Sequence, residues 1–372
     1  ARLAQHPGQD EILHYMALGE KLWREGWSRP EELITFSPHL YGFGIALAHV
    51  LVGPGAAAAR LVGLVSWLLT TALACRLAAR LSGLDGAGRG WPALLLLGSM
   101  PLALQAAAIV DIDNTVLVPA TLLVCLAVGR FCETPVRSRA MGVVLALALA
   151  LWCRLTTPAI LVPVLLLYSW LRRRDPVLTL RLAVAFLSGG VSFVLTWWAY
   201  CQVTGVDFGG PFRYVLTAFL FCTVGKDRGI GVAKIALTVV YLSLWVGPAT
   251  MVLWAWAAWR RLAGSWGRWR SAEVDLYLLA GLAVVAGYAV IGGALFGFPK
   301  YQSPGVPLLA AALAGCFGRE LAPGNRTGWL SCMGVLAIGF LLQTTVAGDP
   351  LLVLRLALRQ AKIGRASCRE RV

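Results

Sequence analysis

Charge is what this 372-residue sequence has least of: Asp, Glu, Lys and Arg together make up 14% of it. A soluble globular domain carries nearer a quarter, with apolar residues close to half. Here apolar residues reach 58% and the mean hydropathy is +0.72, which excludes a soluble domain and places the chain in a membrane. Carboxylates are scarcest, 18 against 33 Lys and Arg, leaving a net charge of +15. That excess does not call for nucleic acid, because membrane proteins gather Lys and Arg in cytoplasmic loops to fix their topology. Paired cysteines are missing too. Cys75, Cys125, Cys132, Cys153, Cys201, Cys222, Cys316, Cys332 and Cys368 stand singly, mostly in apolar runs, so neither a disulfide framework nor a cysteine metal cluster is indicated. There is no GxxxxGK[ST], no GxGxxG opening a helix after a strand and no internal repeat, which removes support for ATP-driven transport and dinucleotide chemistry.

What the sequence does have is apolar runs. At about 20 residues per crossing, ten are able to span: 58–80, 92–109, 114–131, 140–153, 157–171, 182–201, 231–257, 275–296, 304–318 and 327–346. The run 39–53 covers only about 22 Å at ~1.5 Å per residue, follows Pro38 and ends at Gly53-Pro54-Gly55, so it reads as a juxtamembrane helix. The expected fold is all-α, a polytopic transmembrane helix bundle of about ten spans. Residues 1–57 form an outward-facing first loop with juxtamembrane helices, 58–346 the transmembrane core, and 347–362 a further outer segment. The start in a polar stretch at Ala1 leads us to expect an upstream segment. Residues 363–372, Ile-Gly-Arg-Ala-Ser-Cys-Arg-Glu-Arg-Val, back-translate to ATCGGAAGAGCGTCGTGTAGGGAAAGAGTG, a common sequencing adapter, and are expected not to be native protein.

Basic residues set the orientation. If 58–80 enters from outside, the inner loops hold Arg76, Arg80 and Arg89, then Arg130, Arg137 and Arg139, then Arg172, Arg173, Arg174 and Arg181, then Arg260, Arg261, Arg268 and Arg270, then Arg319 and Arg326. The short loops opposite hold little beyond Arg60, Arg154 and Lys300. This alternation predicts a multi-pass protein whose polar stretches 1–38 and 202–230 face outward.

Four outward stretches could carry chemistry. Asp10-Glu11, in His6-Pro-Gly-Gln-Asp-Glu-Ile-Leu-His14, offers a general base or a metal ligand, and equally an acidic helix start. His14, four residues after Asp10, either joins a divalent metal with Asp10 and Asp113 or is simply solvated. Asp111-Ile-Asp113-Asn114 puts two carboxylates at the bilayer edge, which is expensive unless they are used, although a tight turn welcomes the same residues. Lys300-Tyr301, at the mouth of the ninth span, suits a phosphate by charge and hydrogen bond, and interfacial anchoring equally well. Thr204-Gly-Val-Asp207-Phe-Gly-Gly-Pro211-Phe-Arg213-Tyr214, followed by Lys226-Asp-Arg228, reads as an anion-attracting loop or as ordinary loop punctuation.

In this order and on one side, the stretches resemble the GT-C superfamily of glycosyltransferases, in the branch of protein mannosyltransferases, the lipid A aminoarabinose transferase and RgtA-type enzymes. The resemblance covers about residues 6–320. It rests on Asp10-Glu11, Ser37-Pro38-His39-Leu40-Tyr41, Ala59-Arg60-Leu61, Asp111/Asp113, Arg154-Leu-Thr-Thr157-Pro158 and Lys300-Tyr-Gln-Ser-Pro304. It implies an inverting transfer of sugar from a polyprenyl-phosphate carrier to a lipid, glycan or protein acceptor at the outer face. Asp10, with Glu11 beside it, falls on the family's catalytic base, Asp113 or Asp111 on its second carboxylate, and Lys300 on the basic residue near the carrier phosphate. Tyr301 and Arg213 are the further phosphate candidates. Pro38-His39 departs from the commoner basic-Pro-Pro or Tyr-Pro-Pro pattern. A rival class, a transporter or flippase of lipid-linked saccharides, predicts repeated halves and charges within helices.

Overall fold

The computed structural model describes residues 16–25, 37–82, 97, 115–221, 231–247, 250–256, 259, 273–291, 300–316 and 334, and all regular structure among them is helical. In chain order the helices are α1 (Ala17–Glu25), α2 (Leu40–Val52), α3 (Ala56–Ser82), α4 (Leu117–Glu133), α5 (Arg137–Cys153), α6 (Thr156–Arg173) and α7 (Pro176–Thr204). They continue with α8 (Gly210–Leu220), α9 (Val232–Val246), α10 (Thr250–Trp256), α11 (Glu273–Ile291) and, after a 3-10 segment at Lys300–Gly305, α12 (Val306–Cys316).

Among the described residues, three helices are long and apolar enough to cross a membrane: α3, α7 and α11. The expected run 231–257 is two helices rather than one, bent by 113°. Gly247 at φ 98° ends α9, and Pro248 follows it in the sequence, a pair that an uninterrupted helix does not tolerate. The expected short spans 140–153 and 157–171 are helices α5 and α6, and the run 39–53 is the 13-residue α2, too short to cross. Spans expected at 92–109 and 327–346 lie outside the described residues, apart from Leu97 and Gly334.

Local sequence explains the helix ends. Asp175 accepts bonds from Val177 N (2.8 Å) and Leu178 N (3.2 Å), and Pro176 occupies the first turn, where its missing N–H costs nothing. Helix α7 then runs 29 residues to Gly205, at φ 74°. Along it Leu180, Val184, Leu187, Val191, Val194, Leu195 and Trp198 are exposed, a stripe three to four residues apart with no polar break. Water would reject such a face, and lipid accepts it.

One end of the bundle is tied by charge. Arg80 at the end of α3 donates from Nε to Glu273 at the start of α11 (3.1 Å) and from Nη2 to Glu133 at the end of α4. Arg139 on α5 lies 3.7 Å from Glu133 and donates to the Arg130 carbonyl at 2.5 Å. Arg172 at the end of α6 donates to Tyr168 at 2.6 Å. Arginines expected in inner loops thus gather at one end, and α5 to α6 and α7 to α8 turn at the other.

Small residues let α12 sit in the core. From Val306 to Ala314 every residue is buried, against α3 and α11. The 3-10 segment meets α11 backbone to backbone: a Cβ on Gly305 would stand 2.8 Å from the Gly281 carbonyl. Pro304 and Pro307 fall at the segment's end and the first turn of α12, where helices tolerate proline.

Helix α1 docks on α2 through Leu18, Tyr41 and Ile45, all fully buried. His49 of α2 is 3% exposed, edge-on to Trp23 of α1 at 6.3 Å, and its Nδ1 has no hydrogen-bond partner. Burial lowers its pKa below the usual 6.5, against a smaller opposing pull from Glu20. A base whose folded pKa is depressed takes up its proton more readily once undocked. The α1–α2 contact is therefore fully stable above about pH 6.5 and weakens as pH falls below it. Protection of α1 amides, corrected for their intrinsic exchange rate, should fall as pH drops below about 6.5, and His49→Phe should flatten that dependence.

Candidate functional site

At the end opposite the arginine network, the break between α5 and α6 places a cation inside the protein. Arg154 follows the last turn of α5 in extended backbone (φ −165°, ψ 137°), and its N–H still bonds the Ala150 carbonyl at 2.9 Å. Its side chain is buried with only 2% exposed. The guanidinium lies 5.1 Å from the Tyr301 ring centre and 5.7 Å from that of Tyr214, and Nη2 donates to the Tyr214 hydroxyl at 3.2 Å. Arginine does not deprotonate, so the charge stays, and the aromatic faces offset part of the cost of burying it.

A second layer fixes Tyr301. Its ring stacks on Tyr288 of α11 (5.5 Å, 14° between planes), and the Tyr288 hydroxyl shares a 2.8 Å hydrogen bond with Thr157 of α6. Lys300 brings its Nζ to 5.1 Å from the same Tyr301 ring. Two cations therefore flank one tyrosine at the mouth of the bundle. That arrangement suits an anion with several oxygens, for which arginine supplies a planar fork of donors and lysine a mobile point charge.

Beside this cluster, an aromatic group anchors the start of α2. His39 is fully buried, and its Nδ1 lies 2.8 Å from the Tyr200 hydroxyl of α7. Trp197 and Tyr200 each meet its ring edge-on at 5.5 Å. Phe43, one turn further along α2, contacts Trp152 at 6.2 Å, two residues before Arg154. The Pro38-His39 stretch thus sits at the same end of the bundle as Arg154.

Of the residues singled out from sequence, the structure brings Lys300 and Tyr301 together with Arg154. Arg213 points to a local role: it is exposed and ion-paired with Asp207, whose Oδ1 also accepts the Gly209 N–H at 3.0 Å. Its neighbour Tyr214 is the residue that reaches Arg154. Asp10, Glu11, His14, Asp111, Asp113 and Lys226 lie outside the described residues. Among the described residues no group of three or more His, Cys, Asp or Glu could hold a metal ion. Described carboxylates are engaged elsewhere: Glu20 with Arg24, Glu133 and Glu273 with Arg80, Asp175 as a helix cap, Asp207 with Arg213. Arg154 stands in one of the sequence motifs without an assigned role, Tyr214 only closes the stretch that holds Arg213, and no motif includes Tyr288. The available signal was that Arg154 is one of the few basic residues on the arginine-poor side.

No family model and no curated protein matches this chain. Two solved structures do, both of ArnT from Cupriavidus metallidurans. The chain is similar to ArnT bound to undecaprenyl phosphate with a TM-score of 0.69, and to ArnT in the apo state with a TM-score of 0.62. In both cases identity is 19%, and the match covers 92% of this chain and 61% of the other. The chain thus spans about three fifths of that protein's length and shares its fold.

Proposed function

We propose that this protein is a membrane glycosyltransferase that takes a sugar from a polyprenyl-phosphate carrier and passes it, with inversion, to a lipid, glycan or protein acceptor at the outer face of a bacterial inner membrane. The observation that carries this reading is the buried Arg154, held between Tyr214 and Tyr301 with Lys300 beside it, at the arginine-poor end of an ArnT-like bundle. ArnT is known with undecaprenyl phosphate bound, which supports a carrier of that chemistry here.

Each partner has a defined task. The acceptor's hydroxyl loses its proton to a carboxylate, for which Asp10 with Glu11 is the proposed base and Asp113 or Asp111 the proposed second acid. The freed oxygen attacks the anomeric carbon, the bond to the carrier phosphate breaks, and its electron pair leaves with the phosphate. Arg154 and Lys300 offset the charge that accumulates there, Tyr301 keeps both cations in place, and Arg213 stands at the rim. The inner-loop arginines argue for the outward orientation of this end.

Transfer of radiolabelled sugar from a panel of polyprenyl-phosphate sugars to membrane acceptors tests the reading. Asp10→Asn should lower kcat by on the order of 10²–10⁴ with the fold intact. No transfer by the wild type, with lipid-linked sugar still changing leaflet in vesicles, would replace the enzyme by a flippase. Chelation separates the two proposed roles of the carboxylates: activity lost to EDTA and restored by a divalent ion assigns Asp10, His14 and Asp113 to a metal, and unchanged activity leaves Asp10 as base.

A further inference from the structure

Two hydroxyls at the site end are buried with nothing to bond. Ser37 Oγ and Thr156 Oγ1 belong to residues that are 0% exposed, and neither atom has a hydrogen-bond partner. Buried hydroxyls are ordinarily satisfied, and this chain shows how. Thr70, Thr121, Thr204 and Thr238 each donate to the carbonyl one turn back, at 2.8 Å. That solution requires a preceding helical turn. Thr156 is the first residue of α6 and Ser37 stands ahead of α2, so neither has one.

Both orphans are held by anchored neighbours. Thr156 lies between Arg154, clasped by Tyr214 and Tyr301, and Thr157, bonded to Tyr288. Ser37 is fixed by Pro38, which confines the residue before it to extended backbone, and by His39, bonded to Tyr200. The Phe43–Trp152 contact joins the two segments at the same end of the bundle.

We propose that the hydroxyls of Ser37 and Thr156 are ligands for the oxygen-rich head of the lipid-linked donor, an inference that rests on the carrier-dependent transfer proposed above. Their chemistry fits phosphate oxygens and sugar hydroxyls alike. Neither atom has a partner within the protein, and donor binding satisfies both, so the cost of burying them returns as affinity and discrimination.

This predicts an unusual pairing of effects. In full-length protein reconstituted in vesicles, Ser37→Ala and Thr156→Val should each raise KM for the polyprenyl-phosphate sugar by on the order of tenfold, with kcat changed less. Melting temperature should stay level or rise, because an unsatisfied buried group has been removed. Thr156→Ser, which keeps the hydroxyl, should recover most of the affinity. Inhibition by undecaprenyl phosphate without sugar then separates the sources. A parallel loss of inhibition assigns the contact to phosphate, and unchanged inhibition assigns it to the sugar. Unchanged KM in both variants overturns the proposal, as does a lowered melting temperature that Thr156→Ser fails to restore. A wild type that transfers from no donor in the panel refutes the transferase reading instead.

Discussion

Arg154→Gln should reduce kcat/KM for sugar transfer by on the order of 10³-fold while the protein still extracts and melts as a folded bundle. Glutamine fills much of the arginine's space and stays polar, though it is too short to keep the bond to Tyr214. What it removes is the fixed positive charge, 2% exposed, between two tyrosine rings. In the transfer proposed above, a preorganised cation facing the departing phosphate acts with little screening, and its loss appears chiefly in the chemical step. Arg154→Lys should recover only part of the activity, because an ammonium supplies charge without the planar face that stacks on Tyr301 or the forked donors. A steady-state comparison of the three proteins, with melting curves beside it, decides the matter. Activity within tenfold of wild type in Arg154→Gln would remove this residue from the carrier site.

The second large effect is steric. A Cβ on Gly281 would fall 2.6 Å from Leu309 Cγ and 3.0 Å from the Gly305 carbonyl oxygen. Leu309 is fully buried and the other obstacle is backbone, so neither yields as an exposed side chain would. Gly281→Val should cost about 1–3 kcal/mol or more through overpacking, seen as a lower melting temperature. Activity should fall further than stability alone explains, since Gly305 closes the segment that presents Lys300 and Tyr301. Gly142→Ala is the matched control. Nothing lies within 4 Å of a Cβ there, and α5 should gain slightly from the better helix former.

Sequence made the helices legible because lipid imposes a coarse rule: a crossing helix must satisfy its backbone internally and be apolar outside. The runs 58–80, 182–201 and 275–296 met that rule and are α3, α7 and α11. The run 231–257 met it too, yet Gly247 divides it, since hydropathy averaged over a window is blind to one residue's φ. Lys300 and Tyr301 were readable as a pair because they are adjacent in sequence. Arg154 was not readable as their partner. Its partners come from 60 and 147 residues away in the chain, across packed helices whose mutual rotation no local pattern encodes. Sequence likewise gave no warning that Arg213 would pair with Asp207 while Tyr214, one residue on, turned to the site.

The charge network around Arg80 has a mechanical consequence. It grips α3, α4, α5 and α11 where they end or begin, like the hoop at one rim of a barrel. Staves fixed at one rim move most at the other, and a helix of 27 residues, such as α3, carries its far tip about 40 Å away at ~1.5 Å per residue. A tilt too slight to break any contact near the hoop therefore becomes ångströms of displacement at the opposite rim, where the Arg154 cluster lies.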